Sequence, residues 1–192
     1  MTDFETFTKP SAEILQALKL RETLPDLNLA RFDLSHLDLY YANLSRANLQ
    51  HAKLSQTLLT NADLSGADLS HADLTGADLR GANLHRANLT GANLQAAALN
   101  RTDLQQANLT AANLSEAKLE LAQYDAQTQW PEGYAYKKSG AVGPGAQLNG
   151  AYLNSTSWCN ADLTGANFLG AYLSGADFTG AKLEGASFTG AD

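Results

Sequence analysis

The chain has 192 residues, 44% of them hydrophobic, and a formal net charge of −7. That length suits a single domain, and no basic, aromatic-interleaved stretch points to nucleic-acid binding. No apolar run approaches the roughly 18 residues of a membrane span, and no cationic start followed by an apolar run marks a secretion signal.

Residues 1–26 precede any repeat. Pro10 to Leu20 spaces its apolar residues as a helix does, with Pro10 suited to the first turn. The open end of a solenoid exposes unpaired backbone and needs a cover. We read this helix, with Phe4 and Phe7, as an N-terminal cap; the other reading is a helix that docks a partner.

From residue 27 a five-residue unit takes over. Ala62 to Leu94 reads ADLSG ADLSH ADLTG ADLRG ANLHR ANLTG ANL without a gap. Calling each Leu a centre, centres run every fifth residue from Leu29 to Leu119 and Tyr124. On a helix five steps turn a side chain by about 500°, so the Leu residues would scatter round the axis. On a continuous strand an odd step flips alternate Leu residues to the other face. Each unit must therefore carry its own corner. Ala and the centre share one face and point in, the Asp or Asn between them points out, and the next two residues are turn formers. Such a chain winds into a solenoid. The first coils carry Leu27, Phe32 and Leu37 where later ones carry Ala, which calls for a wider interior at the capped end.

The number of sides follows from a second array at residues 146–192. Tyr152 and Tyr172 hold the same outward slot twenty residues apart, as do the centres Trp158 and Phe178, and Phe168 and Phe188. Twenty residues are four units, so the tube is roughly square and like stacks on like. About seven to eight coils at a strand spacing of about 4.8 Å give a length of roughly 35–40 Å. Stepping by twenty sorts the slots of the first array into four walls. Wall one reads Asn28, Asn48, Asp68, Asn88, Asn108. Wall two reads Asp33, Lys53, Asp73, Asn93, Asn113. Wall three reads Asp38, Leu58, Asp78, Ala98, Lys118, and wall four Asn43, Asp63, Asn83, Asp103, Gln123. Wall three alone turns apolar residues outward, at Leu58 and Ala98, with Tyr40 on the same side. It is either a partner surface or a tolerant one, since scattered exposed apolar residues need no explanation.

Residues 125–145 interrupt the array and shift its register by one. Pro131, Gly133, Gly140, Gly143, Pro144 and Gly145 mark turns, while Trp130, Tyr134 and Tyr136 are too aromatic for a disordered linker. The expectation is an ordered loop that leaves and rejoins the tube. Its aromatics either form a partner surface, which makes this the leading candidate site, or pin the loop to the wall. In the second array, Tyr152 and Tyr172 face out, and Asp162 and Lys182 share a slot and should pair weakly. The last unit stops at Asp192 without a covering segment, which leads us to expect end-to-end self-association through Phe178 and Phe188, or a truncated tail.

Tandem A(D/N)LXX over about residues 27–124 and 146–192 resembles the pentapeptide-repeat family. The resemblance implies a right-handed quadrilateral β-helix, an all-β solenoid here with a short helical cap and one loop insertion. The aromatic-Pro-x-Gly break is similar to breaks in cyanobacterial members. By analogy with gyrase-targeting members, whose C-terminal coils form a dimer seam, it also implies a homodimer through that end.

No constellation of residues supports catalysis, a cofactor or a metal. His51 and His71 share one corner column about 5 Å apart, but two histidines without a third ligand make a poor metal site. The Asp residues lie on exposed ladders, not paired in a cleft. Cys159 is the single cysteine, which fits a reducing, cytoplasmic compartment, and no His partners it by spacing. The reading is a non-enzymatic scaffold or regulator that binds an unidentified protein, and neither nucleic acid nor membrane directly. The alternative implied by the resemblance is a DNA-mimicking modulator of DNA gyrase. Duplex DNA of that length would carry about 20 charges, far more than −7.

Overall fold

The computed structural model describes residues 7–22 and 27–192; the expectation for Phe4 lies outside them. The first element is helix α1, Ala12–Lys19, whose N-cap Ser11 accepts the Ile14 N–H at 3.3 Å. Pro10 thus precedes the cap and does not sit in the first turn. The apolar face of α1 buries Leu18 and Ala17 and packs Ile14 against the core. Just before α1, Thr8 pairs with Phe32 and contributes a rung to the end of the tube. Phe7 lies beneath the Lys53 ammonium, 3.9 Å from ring centroid to Nζ.

Every slot of the first array from Asn28 to Asp103 is bridged in parallel to the slot twenty residues on, which makes the four expected columns. Each contact is a single isolated bridge; among the described residues no side lengthens into an extended strand. The reason is the corner. After each centre, the residue at Ala donates its N–H back to the centre's C=O, as Ala72 does to Leu69 at 3.0 Å. The second corner residue takes φ near +60°, at His71 as at Gly66. Glycine accepts that conformation without cost, which explains its frequency there. With a turn in every five residues, only the slot and its neighbours remain for pairing.

The same geometry explains Asp and Asn in the slot. The first corner residue has no ladder partner for its N–H, and the slot side chain supplies one. Asp63 Oδ1 accepts from Ser65, Asp68 from Ser70 and Asn83 from His85, all at 3.0 Å. These are Asx turns, which Leu or Ala in the slot cannot make. Leu centres from Leu29 to Leu119 are all buried, with Ala or Thr beside nearly all of them. Thr57 and Thr102 occupy the Ala position with their hydroxyls donating to the C=O of Leu34 and Leu79. Each buried Leu contributes about 1.5–3 kcal/mol before chain entropy.

The segment expected to leave and rejoin the tube keeps two rungs paired with it. Asn108 bridges Gln129, 21 residues on, and Gln123 bridges Val142, 19 residues on. One residue is gained between Gln123 and Gln129 and two are lost between Gln129 and Val142, and the net loss of one accounts for the register shift. Between these rungs the chain is irregular, with a short 3-10 turn at Tyr136–Lys138. Thereafter slots again bridge at twenty: Gln147 to Asn167, Tyr152 to Tyr172, Ser157 to Asp177 and Asp162 to Lys182.

Candidate interaction surfaces

Because one side chain per unit faces out at a fixed rung, the walls are flat ladders of side chains. Asn88 Nδ2 donates to Asp68 Oδ1 and Asn83 Nδ2 to Asp63 Oδ1, each at 3.1 Å. Burial by itself would raise the Asp68 pKa. Hydrogen bonds from Ser70, Gln50 and Asn88 outweigh it and hold the carboxyl below the usual range. Asp33 is held low mainly by the Ser35 N–H and hydroxyl. The acidic rungs are thus structural acceptors that also link neighbouring coils.

On wall three, Leu58 is exposed and Ala98 is half-buried. Arg80 grips Asp78 with two parallel bonds of 2.8 and 2.5 Å. Tyr40 stands edge-on to Tyr41, and Arg21 covers the Tyr41 ring at 4.7 Å. Along the adjoining corner Tyr40, Asn61, Arg80, Asn100 and Arg101 line a shallow groove of about 470 Å³. Tyr40 lines this groove and Leu58 does not, so the two are separate exposed side chains on this side of the tube, and Ala98 adds little.

The aromatics of residues 125–145 sit elsewhere than a partner surface requires. Trp130, Tyr134 and Tyr136 are half-buried and packed against the core. Trp130 and Tyr136 stack at 5.1 Å with their planes 2° apart, and both meet the buried Tyr124 edge-on. Burial raises the Tyr124 and Tyr134 pKa values, with the Tyr136 hydroxyl adding to the first. Tyr124 donates to the Pro144 C=O at 2.8 Å. These rings fill the tube where its sides become irregular.

The second array presents what that segment does not. Tyr152 and Tyr172 stack at 4.6 Å and 2°, and they are 77% and 43% exposed. Farther along, Phe168 and Phe188 stack at 4.8 Å, Phe178 meets both edge-on, and Phe188 is exposed. Asp162 and Lys182 are bridged neighbours without an ion pair within 4 Å, although Lys182 is among the influences that lower the Asp162 pKa.

The remaining reactive groups stay apart. His51 and His71 stack at 5.2 Å, as their shared column requires. Among the described residues no three His, Cys, Asp or Glu side chains gather as metal ligands. Cys159 is exposed and donates to Asp177 at 3.2 Å, which with the stronger Thr179 bonds lowers the Asp177 pKa. No helix among the described residues is long and apolar enough to cross a membrane.

A family model for pentapeptide repeats matches in 8 copies, over residues 26–56, 47–86, 57–95, 87–122, 145–180 and 171–192. Three solved structures from cyanobacteria are similar. A pentapeptide repeat protein from Nostoc PCC 7120 is 36% identical over 71% of this chain and 97% of that one, with a TM-score of 0.47. HetL of Nostoc sp. PCC 7120, involved in heterocyst differentiation regulation, is 30% identical over 94% and 95%, with a TM-score of 0.42. Rfr23 of Cyanothece 51142 is 38% identical over 56% and 67%, with a TM-score of 0.36. Comparison with curated proteins gives no match.

Proposed function

The chain belongs to the pentapeptide-repeat family, whose members fold as right-handed quadrilateral β-helices, and we propose that it is a non-enzymatic scaffold or regulator that binds a protein partner. It works in the cytoplasm as one structural domain of about seven to eight coils. Within the cap segment 1–26 the described residues 7–22 cover the end of the tube, 27–124 and 146–192 form its two arrays, and 125–145 join them.

The observation that carries this reading is the stacked Tyr152–Tyr172 pair, held proud of a rigid wall. Paired exposed tyrosines give large contact area at little conformational cost, the property that makes tyrosine common at interfaces. Tyr40 and Leu58, both exposed, offer further apolar area. HetL's involvement in differentiation control is consistent with a regulatory role for a wall of this kind. The gyrase reading is disfavoured by the walls themselves. Wall one carries a single Asp, Asn interleaves with Asp along wall four, and Lys53 separates Asp33 from Asp73 on wall two, so no continuous acidic strip imitates a phosphate backbone.

The test is affinity capture with the intact protein, repeated with Tyr152→Ser/Tyr172→Ser and with Leu58→Asp. A specific partner lost with either variant supports the scaffold. Inhibition or protection of gyrase supercoiling at stoichiometric protein would establish the alternative instead. Turnover of a small molecule abolished by one side-chain change would end the non-enzymatic reading. Self-association through Phe178 and Phe188 is a separate proposal, supported by the exposed Phe188 ring and read out by sedimentation velocity.

A further inference from the structure

In a regular coil both the N–H and the C=O of each slot residue face the preceding coil. Asp73 shows the pattern, donating to the Ala52 C=O and accepting from the Leu54 N–H. In the second array Tyr172, Asp177 and Lys182 donate in the same way to Ala151, Thr156 and Ala161. Tyr152, Ser157 and Asp162 do not. Among the described residues neither their N–H nor their C=O groups have a hydrogen-bond partner. On the first array the complementary groups are open too: the N–H groups of Leu114 and Leu119 and the C=O groups of Ala112 and Ala117. The rung that belongs between them is missing. In its place the chain curls into the 3-10 turn at Tyr136–Lys138, and the Lys137 C=O accepts instead from Gln147.

The break opens a recess of about 290 Å³ between Arg101, Leu121 and Gln123 on one lip and Asn154 to Trp158 on the other. Ser157, on the second lip, is exposed. Arg101 is the one charged side chain that lines the recess; it is exposed and has no ion pair among the described residues, while the neighbouring Glu120 carboxylate is taken up by Asn100. An open sheet edge is a template for one more strand, and the charge beside it selects which strand.

We propose that this recess is the docking site of an extended peptide segment bearing a carboxylate side chain. The segment's backbone pairs with the free Ser157 N–H and C=O, and its carboxylate lies against Arg101. This names the partner's chemistry within the scaffold reading and rests on it. Main-chain bonds supply the affinity and register; Arg101 supplies the preference for an acidic residue. Tyr152, on the same open edge, extends the contact in the direction of the Tyr172 stack.

The test uses the full-length, 15N-labelled protein and a blocked peptide, acetyl-Thr-Val-Asp-Val-Thr-amide, with Lys in place of Asp as the control. The Ser157 amide should shift on titration, and its hydrogen exchange should slow by about tenfold at saturation. Arg101→Glu should weaken the Asp peptide by at least about fivefold and favour the Lys peptide. Ser157→Pro removes the donor without breaking any internal backbone hydrogen bond, giving up only the exposed hydroxyl's bond to Cys159 Sγ, so binding should fall while the far-UV spectrum and melting midpoint hold; Ser157→Ala, which loses that bond alone, should bind as the wild type. Equal binding of both peptides, or shifts confined to Tyr40 and Leu58, overturns the proposal. Concentration-dependent self-association lost in Arg101→Glu would make a second copy the occupant and overturn it as well. A captured partner indifferent to both variants sinks the recess but leaves the scaffold standing; no partner at all sinks the scaffold.

Discussion

Leu74→Ala is the sharpest probe of the stacked interior. Leu74 is fully buried at the middle of the first array. Its backbone donates to the Asn93 C=O at 2.8 Å, and its C=O accepts from Ala77 at 3.0 Å. Neither bond involves the side chain, so truncation removes packing and leaves the ladder intact. The neighbouring centres are held by their own corners and cannot collapse into the space. Substitutions of this kind cost about 2.7–5 kcal/mol, and a site that cannot relax belongs in the upper half, about 4 kcal/mol. For a domain of this size each kcal/mol moves the midpoint by about 2–4 °C, so a fall of about 8–16 °C is expected. Urea unfolding followed by far-UV circular dichroism measures the cost. Fluorescence of Trp130 and Trp158, the two tryptophans of the chain, reports separately on the join between the arrays. Coincident shifts in both signals mean that the whole tube unfolds as one; a dichroism shift alone means that the first array melts by itself. A loss below about 1 kcal/mol would refute the packed column.

Three further outcomes follow from particular contacts. Asp33, Asp68 and Asp162 have folded pKa values below their unfolded ones, so their contribution is complete above the unfolded value near 3.9 and is lost as pH falls through the folded values. The melting midpoint should therefore drop below about pH 4, and less steeply in Asp68→Asn; a midpoint unchanged down to about pH 2.5 contradicts this. Gly143→Ala should cost about 1–3 kcal/mol in urea melts, because the added Cβ would meet the Tyr124 carbonyl oxygen at 2.4 Å, and backbone cannot step aside. Gly150→Ala should cost about 1 kcal/mol, chiefly from its φ of +65°, since nothing lies within 4 Å of the added Cβ; an equal cost at the two sites would discredit the clash at Gly143. Finally, Phe188→Ser should abolish any dimer seen by sedimentation, and a dimer that survives it forms through another surface.

The architecture was readable because its cause is local. A bulky centre, a small neighbour and a corner recur at five, and Tyr152 over Tyr172 or His51 over His71 betrays the step of twenty. What stayed hidden is what periodicity does not encode. Asp63 and Asn83 looked like solvated surface; in fact each closes its own corner and bonds the next coil, a role visible only when the N–H of the first corner residue is found without a ladder partner. Trp130, Tyr134 and Tyr136 looked available because they lie outside the repeat, yet without Leu centres there the tube has nothing else to fill it. Their number was a signal of that need. The open groups at Ser157 leave no trace in residue type, since backbone is the same everywhere. Thr57 and Thr102, at Ala positions, were the one hint of polar bonding inside.

The twenty-residue step has a consequence for how such a chain can change length. Excising residues 62–81 would remove one full winding and leave each surviving column aligned, so that Tyr152 keeps its compass bearing relative to Leu58. Excising five would instead swivel everything downstream by a quarter turn, and two patches that face one neighbour would then face different ones. The join at 125–145 obeys this rule: by gaining one residue and giving back two, it alters phase along the chain by one while Val142 still stacks on Gln123, so the two arrays are not rotated against each other.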